Sequence, residues 1–146
     1  MPASPAETST PAAASSTGPA GMRLLYVEDN RLNAILFQEA LRLQPGLELR
    51  VAVDADDALA QLEGWQPDLL VLDAHLPGMN GFDLLQLLRT QPRLAQVPAF
   101  MCSADALPNE LRRAQEAGFA GFWPKPIDIR QILQDLQQMT ERRTAA

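Results

Sequence analysis

Four short apolar runs in this chain lead into polar residues of types that could act together. Glu28 and Asp29 follow residues 24–27, Asp73 follows 69–72, Ser103 follows 97–102, and Lys125 lies just beyond 120–123. Three carboxylates brought within a few ångströms repel one another, and at neutral pH a hard divalent cation with oxygen ligands relieves the repulsion most simply. Magnesium is the natural candidate. It takes near-octahedral oxygen geometry and keeps several waters, so two carboxylates and one backbone carbonyl suffice on the protein side, with a phosphoryl oxygen completing the shell. The Lys125 ammonium and the Ser103 hydroxyl would meet the remaining phosphoryl oxygens, as positioned groups do in phosphoryl transfer. Of the 12 basic residues only Lys125 is a lysine, a compact charge where the rest of the chain uses the planar arginine fork.

Such a set needs a scaffold that gathers strand ends. From Arg23 onward short apolar runs alternate with helical patterns, the signal for βα units around a parallel sheet. The pattern predicts β1 at 24–27, then α1 on the apolar stripe Leu32, Ile35, Leu36, Ala40 and Leu43, stopped by Pro45 and Gly46. It continues with β2 at 47–53, α2 at 54–64, β3 at 69–72, the loop HLPGMNG, α3 at 82–90, β4 at 97–102 and α4 at 107–117. A short β5 at 120–123 and α5 on Ile129, Ile132, Leu133, Leu136 and Met139 complete five strands and five helices. In open α/β sheets ligands bind outside the carboxyl ends of the strands, where all five polar residues fall.

The chain has 146 residues, 47% of them hydrophobic, which suits one core and leaves no room for two. Residues 1–21, almost wholly Pro, Ala, Ser and Thr, read as a disordered tail, 22–140 as the domain, and 141–146 as a short C-terminal tail with no output domain fused. A formal net charge of -6 disfavours direct binding to nucleic acid or an anionic membrane. One cysteine, Cys102, forms no internal disulfide, and neither a spanning segment nor a signal sequence is present, so a cytoplasmic location is expected.

Together the motifs LLYVEDN, LLVLDAHLPGMNGFDLL, FMCSADA and GFWPKPID resemble the receiver domain of two-component response regulators, in the right order and at compatible spacings from about Arg23 to Met139. The resemblance implies a flavodoxin-like (βα)5 three-layer sandwich whose five-stranded parallel sheet has the order 2-1-3-4-5. It implies that Asp73 accepts a phosphoryl group from a phosphohistidine on a histidine kinase or histidine phosphotransfer protein. Asp29 would be the direct carboxylate ligand of Mg2+, Glu28 the second acid acting through water, and His75 the donor of a main-chain carbonyl. Ser103 and Lys125 would grip the phosphoryl oxygens, Phe122 would be the switch aromatic, and the Lys125–Pro126 peptide would be cis. His75 and Asp105, two residues beyond Asp73 and Ser103, would tune the lifetime of the acyl phosphate. A downstream protein target would dock on the α4-β5-α5 face, and LLYVEDNRLN is most similar to receiver pieces of hybrid kinases.

Plainer readings stand beside these. A strand-end Asp is often a helix or loop cap, a lone loop histidine is usually solvated, Cys102 reads as a buried structural thiol, and Trp65 and Trp123 as packing residues. Arg112, Arg113, Arg130, Arg142 and Arg143 could charge the partner face or simply solvate helices. An aspartate-nucleophile phosphohydrolase would usually want an aspartate where His75 stands. A flavin carrier would want a Ser/Thr/Gly-rich loop where the sequence reads EDNRLN. A pseudo-receiver adaptor would lack the acids or the lysine, and both are here.

Overall fold

A computed structural model describes residues 21–42 and 44–145. The tail assigned to residues 1–21 therefore lies, but for Gly21, outside the described residues, as does Leu43 of the α1 stripe. Five parallel strands, β1 (Met22–Val27), β2 (Leu47–Ala52), β3 (Leu69–Asp73), β4 (Ala99–Ser103) and β5 (Gly121–Pro124), form one sheet in the order β2-β1-β3-β4-β5. Helices α1 (Arg31–Leu41), α2 (Ala55–Gln61), α3 (Gly81–Arg89), α4 (Pro108–Glu116) and α5 (Ile129–Ala145) alternate with them. The flavodoxin-like three-layer arrangement and strand order expected from the resemblance are those observed.

β3 and β4 are buried along their whole length, as central parallel strands covered on both faces must be. Alternate side chains feed two cores. Leu25, Val27, Leu70, Leu72, Ala99 and Met101 pack with α2, α3 and α4 residues such as Ala58, Leu85 and Ala114. Leu24, Tyr26, Leu69, Val71, Phe100 and Cys102 face the other way, against Phe37 and Leu41 of α1 and Ile132 and Leu136 of α5. Three helices start where a polar residue turns the chain: Asn30, Asp54 and Asn80 each accept, through the side chain, the backbone N–H three residues on.

The α1 stripe is a correction. The sheet takes Ala34, Phe37 and Leu41, whereas Leu32, Ile35 and Leu36 are 64%, 42% and 51% exposed. Both sets recur at helical spacing, so periodicity alone does not choose between them. The choice falls to Phe37, whose ring centroid lies 4.2 Å from Tyr26 and 6.1 Å from Trp123. Two smaller differences concern ends: a single 3-10 turn at Pro92–Leu94 precedes β4, and α5 continues to Ala145, past Met139 where its apolar stripe stops and into the stretch read as a tail. Among the described residues no helix is long and apolar enough to cross a membrane.

Candidate functional site

The strands are parallel, so their carboxyl ends meet at one edge. In the ladder Val27 pairs with Leu72 and Asp73 with Cys102, while Ser103 pairs with Pro124. This register brings Glu28 and Asp29, Asp73, Ser103 and Lys125 from four separate segments to one edge of the sheet. One carboxylate oxygen from each of Glu28, Asp29 and Asp73 lies within 4.8 Å of the others. Glu28, Asp73 and Ser103 are the buried polar residues of the described chain, and Asp29 is exposed at the mouth.

Burying two carboxylates is costly unless they are paired and hydrogen-bonded. Lys125 supplies the pairing: its Nζ donates to Glu28 Oε1 at 2.6 Å and stands 3.3 Å from Asp73 Oδ2. The Lys125–Pro126 peptide is cis. Glu28 is further held by Tyr26, whose hydroxyl donates to Oε1 at 2.8 Å, and by the Asn30 N–H, which donates to Oε2 at 3.1 Å. Asp73 accepts the His75 N–H at 3.3 Å through Oδ1. The chain pivots tightly just beyond Asp73, because Gly81 at the start of α3 comes so close that a Cβ there would sit 2.4 Å from the Asp73 carbonyl oxygen.

The two acids respond in opposite directions. Burial alone would raise Glu28, but the Lys125 ammonium, the Tyr26 hydroxyl, Asp73 and the Asn30 N–H together hold it below its ordinary value. Burial, with the Glu28 carboxylate alongside, pushes Asp73 up to about 6 despite Lys125 and the His75 N–H. Burial would also lower Lys125, yet the two carboxylates raise it, so the ammonium is retained. One lysine is thus divided between two buried acids with a third nearby, and the cluster keeps surplus negative charge. Three oxygen donors at this spacing suit a hard cation such as Mg2+.

The other expected residues are arranged around this centre. Ser103 Oγ accepts the Asp105 N–H at 3.0 Å, which fixes the start of the loop before α4. His75 is exposed and Asp105 half-buried, on the loops after β3 and β4. Phe122 is half-buried and packs against the core on the α2-α3-α4 side, whereas its neighbour Trp123 is buried on the opposite side and donates through Nε1 to Asp135 of α5 at 2.7 Å. Cys102 is buried, and burial pushes its thiol up to about 11, in keeping with a structural thiol. Tyr26 is the contact that reading the sequence for acids and hydroxyls misses. Its signal is there in hindsight, because it stands two residues before Glu28, the spacing at which extended chain puts side chains on one side.

The comparisons with known proteins agree with this geometry. Residues 24–137 match the family described as the response regulator receiver domain. The chain is 31% identical over 121 residues to the chemotaxis protein CheY of Pseudomonas aeruginosa, covering 83% of this chain and 98% of that one. It is 29% identical over 120 residues to the sensory/regulatory protein RpfC of Xanthomonas campestris, of whose length it spans only 16%. Among solved structures it is similar to Vibrio cholerae CheY4, with a TM-score of 0.75 and 25% identity over 82% of this chain and 99% of that one. It is similar also to the receiver domain of the sensor histidine kinase PA1611 from Pseudomonas aeruginosa, with a TM-score of 0.73 and 27% identity over 84% and 99% of the two chains. That structure holds a magnesium ion in its active site cleft. The chain belongs to the response regulator receiver domain family, the phosphoacceptor switches of two-component signalling.

Proposed function

We propose that Asp73 is the phosphoacceptor of a two-component or phosphorelay system. One observation carries the reading: three carboxylate oxygens converge within 4.8 Å while a single ammonium, 2.6 Å from Glu28 and 3.3 Å from Asp73, bridges the two buried acids. An Asp73 carboxylate oxygen attacks the phosphorus of a donor phosphohistidine, the P–N bond breaks, and the imidazole leaves and takes up a proton. Glu28, Asp29 and Asp73, with the main-chain carbonyl of His75, are the residues that would hold Mg2+. When bound, the ion supplies charge neutralisation for the carboxylates and the incoming phosphoryl oxygens. Lys125 turns from the acids to the phosphoryl group, and Ser103 donates its hydroxyl to another phosphoryl oxygen. Water later attacks the acyl phosphate, releasing inorganic phosphate and restoring the carboxylate. The His75 and Asp105 side chains, on the two flanking loops, tune that step.

Phosphorylation replaces a carboxylate with a group bearing roughly two negative charges. Ser103 and Lys125 then recruit the loop before α4 and the end of β5, and Phe122 follows. A tenfold change in affinity for a partner needs only about 1.4 kcal/mol of bias between two conformations. Receiver domains work with histidine kinases and downstream targets. Here the phosphodonor covers the exposed face of α1, where Leu32, Ile35 and Leu36, with Ile129 of α5, stand out beside a cleft lined by Leu36, Ile127 and Lys125. The downstream target covers α4, β5 and α5, where Leu107 and Leu111 are exposed and Arg112, Arg130 and Arg142 lie at the surface.

Incubation with acetyl phosphate and Mg2+ tests the chemistry. A gain of about 80 Da, one phosphoryl unit, in the wild type but not in Asp73→Asn supports the reading. Equal labelling of both would refute it. For the donor face, Leu36→Asp should slow transfer from a phosphorylated protein donor and leave acetyl phosphate labelling intact.

A further inference from the structure

We infer that Tyr26 is a positioning residue for the cation site: its hydroxyl, donated from the buried core to Glu28 Oε1, holds the second acid in place whether Lys125 stays on it or swings away. The inference rests on the phosphoacceptor reading above and concerns a residue that touches neither phosphoryl group nor cation.

Glu28 Oε1 has two donors of different character. Lys125 reaches it at 2.6 Å on a flexible stem, with its side chain 17% exposed, and the same ammonium is shared with Asp73. Tyr26 reaches it at 2.8 Å on a rigid ring that is fully buried and packed against Phe37, with centroids 4.2 Å apart and the rings tilted by 30°. Phe37 in turn meets Trp123, and Trp123 meets Phe100 with centroids 4.7 Å apart, so the ring carrying the hydroxyl is clamped from α1 to β5. Only the lysine is free to swing towards a phosphoryl oxygen. Once it does, Glu28 keeps the Tyr26 donor on Oε1 and the Asn30 N–H on Oε2, and its carboxylate stays oriented. The phenol has a single proton and gives it to Glu28. Cys102 Sγ, 4.0 Å from the phenol oxygen, is then the donor of the remaining contact. A donor chain thus runs from a core thiol on β4 through a phenol on β1 to an acid at the site. Hydrogen bonds that orient a ligating carboxylate influence metal affinity tens-fold without touching the ion.

The test is Mg2+ binding by calorimetry, separate from any phosphorylation rate. Tyr26→Phe keeps the ring and its packing and should bind Mg2+ about 10-fold more weakly. Its labelling by acetyl phosphate should recover at saturating Mg2+. On a Glu28→Ala background the same substitution should change affinity no further, since the pair acts as a unit. A packing role alone would lower thermal stability in chelator, leave the Mg2+ dissociation constant unmoved and overturn the inference. Tyr26 is the only tyrosine in the chain, so the wild type offers a second measurement that needs no variant at this position. With 13C at the ring carbon bearing the hydroxyl, its one resonance should shift as Mg2+ saturates and stay still in Asp29→Asn. An unshifted resonance in the wild type would overturn the inference even if Tyr26→Phe failed to fold. Wild type that binds no Mg2+ would take the phosphoacceptor reading down as well, whereas normal wild-type binding with an unaltered Tyr26→Phe would remove Tyr26 alone.

Discussion

The two ends of the sheet handle charge in opposite ways. At the amino end of the strands, arginines meet neutral carbonyls: Arg89 donates to the Leu94 and Val97 carbonyls, at 2.7 and 2.5 Å, and Arg93 donates to those of Leu62 and Trp65. There Asp68 accepts the Arg23 N–H at 2.8 Å. These groups close loops, and the Arg23 side chain pairs with Glu48 of β2 at 3.4 Å. At the carboxyl end, by contrast, Glu28 and Asp73 are buried side by side, Asp29 stands over them, and one lysine serves two acids. The first arrangement stabilises the fold. The second costs stability in the metal-free protein, and under the proposed function that cost keeps a place for a cation and a phosphoryl group.

The contrast can be broken most severely at its shared cation. Lys125→Ala should slow labelling of Asp73 by acetyl phosphate about 100-fold at saturating Mg2+, the scale of losing one charged donor to a developing oxyanion. A rate within a few-fold of wild type would mean the ammonium only balances the acids. Next in size is the cost of the carboxylate itself. Asp73 has a folded value of about 6 against an ordinary 3.8, so its protonated form favours the fold. Its contribution to stability is full below 3.8, is lost as pH rises to about 6, and stays lost above that. Asp73→Asn, which does not titrate, should therefore be more stable than wild type in chelator at pH 8 by roughly 2–3 kcal/mol. The advantage should fade as pH falls through 6 towards 4, and denaturant unfolding at several pH values will measure it.

The amino end predicts the reverse behaviour. Arg93→Ala should destabilise by about 1–2 kcal/mol through its lost carbonyl contacts and leave the labelling rate of Asp73 unchanged. A slowed rate with normal stability would erase the distinction between the two ends. The smallest effect should come from the cation alone. At ten times its dissociation constant, Mg2+ should stabilise the wild type by about 1.4 kcal/mol in thermal unfolding at pH 8, and a far smaller gain is expected in Asp29→Asn.

The strands and the acids at their ends were legible because both signals are local. An unbroken apolar run such as LLVL is what a strand buried on two faces requires, and a polar residue closing such a run stands out. The α1 face was not legible, because Leu32, Ile35 and Leu36 satisfy the same helical spacing as Ala34, Phe37 and Leu41. Tyr26 escaped for a related reason: an aromatic residue in an apolar strand looks like packing until its hydroxyl is seen to point at an acid.

The sequence by itself determined which residues stand at strand ends and therefore what chemistry is on offer, since chain order and side-chain type suffice for that. Only the tertiary structure decided which helix face meets the sheet, that one ammonium bridges Glu28 and Asp73, and that a core phenol holds Glu28. Those are matters of distance between segments far apart in the chain, up to the 97 residues that separate Lys125 from Glu28. Local patterns carry no information about such distances until packing closes them.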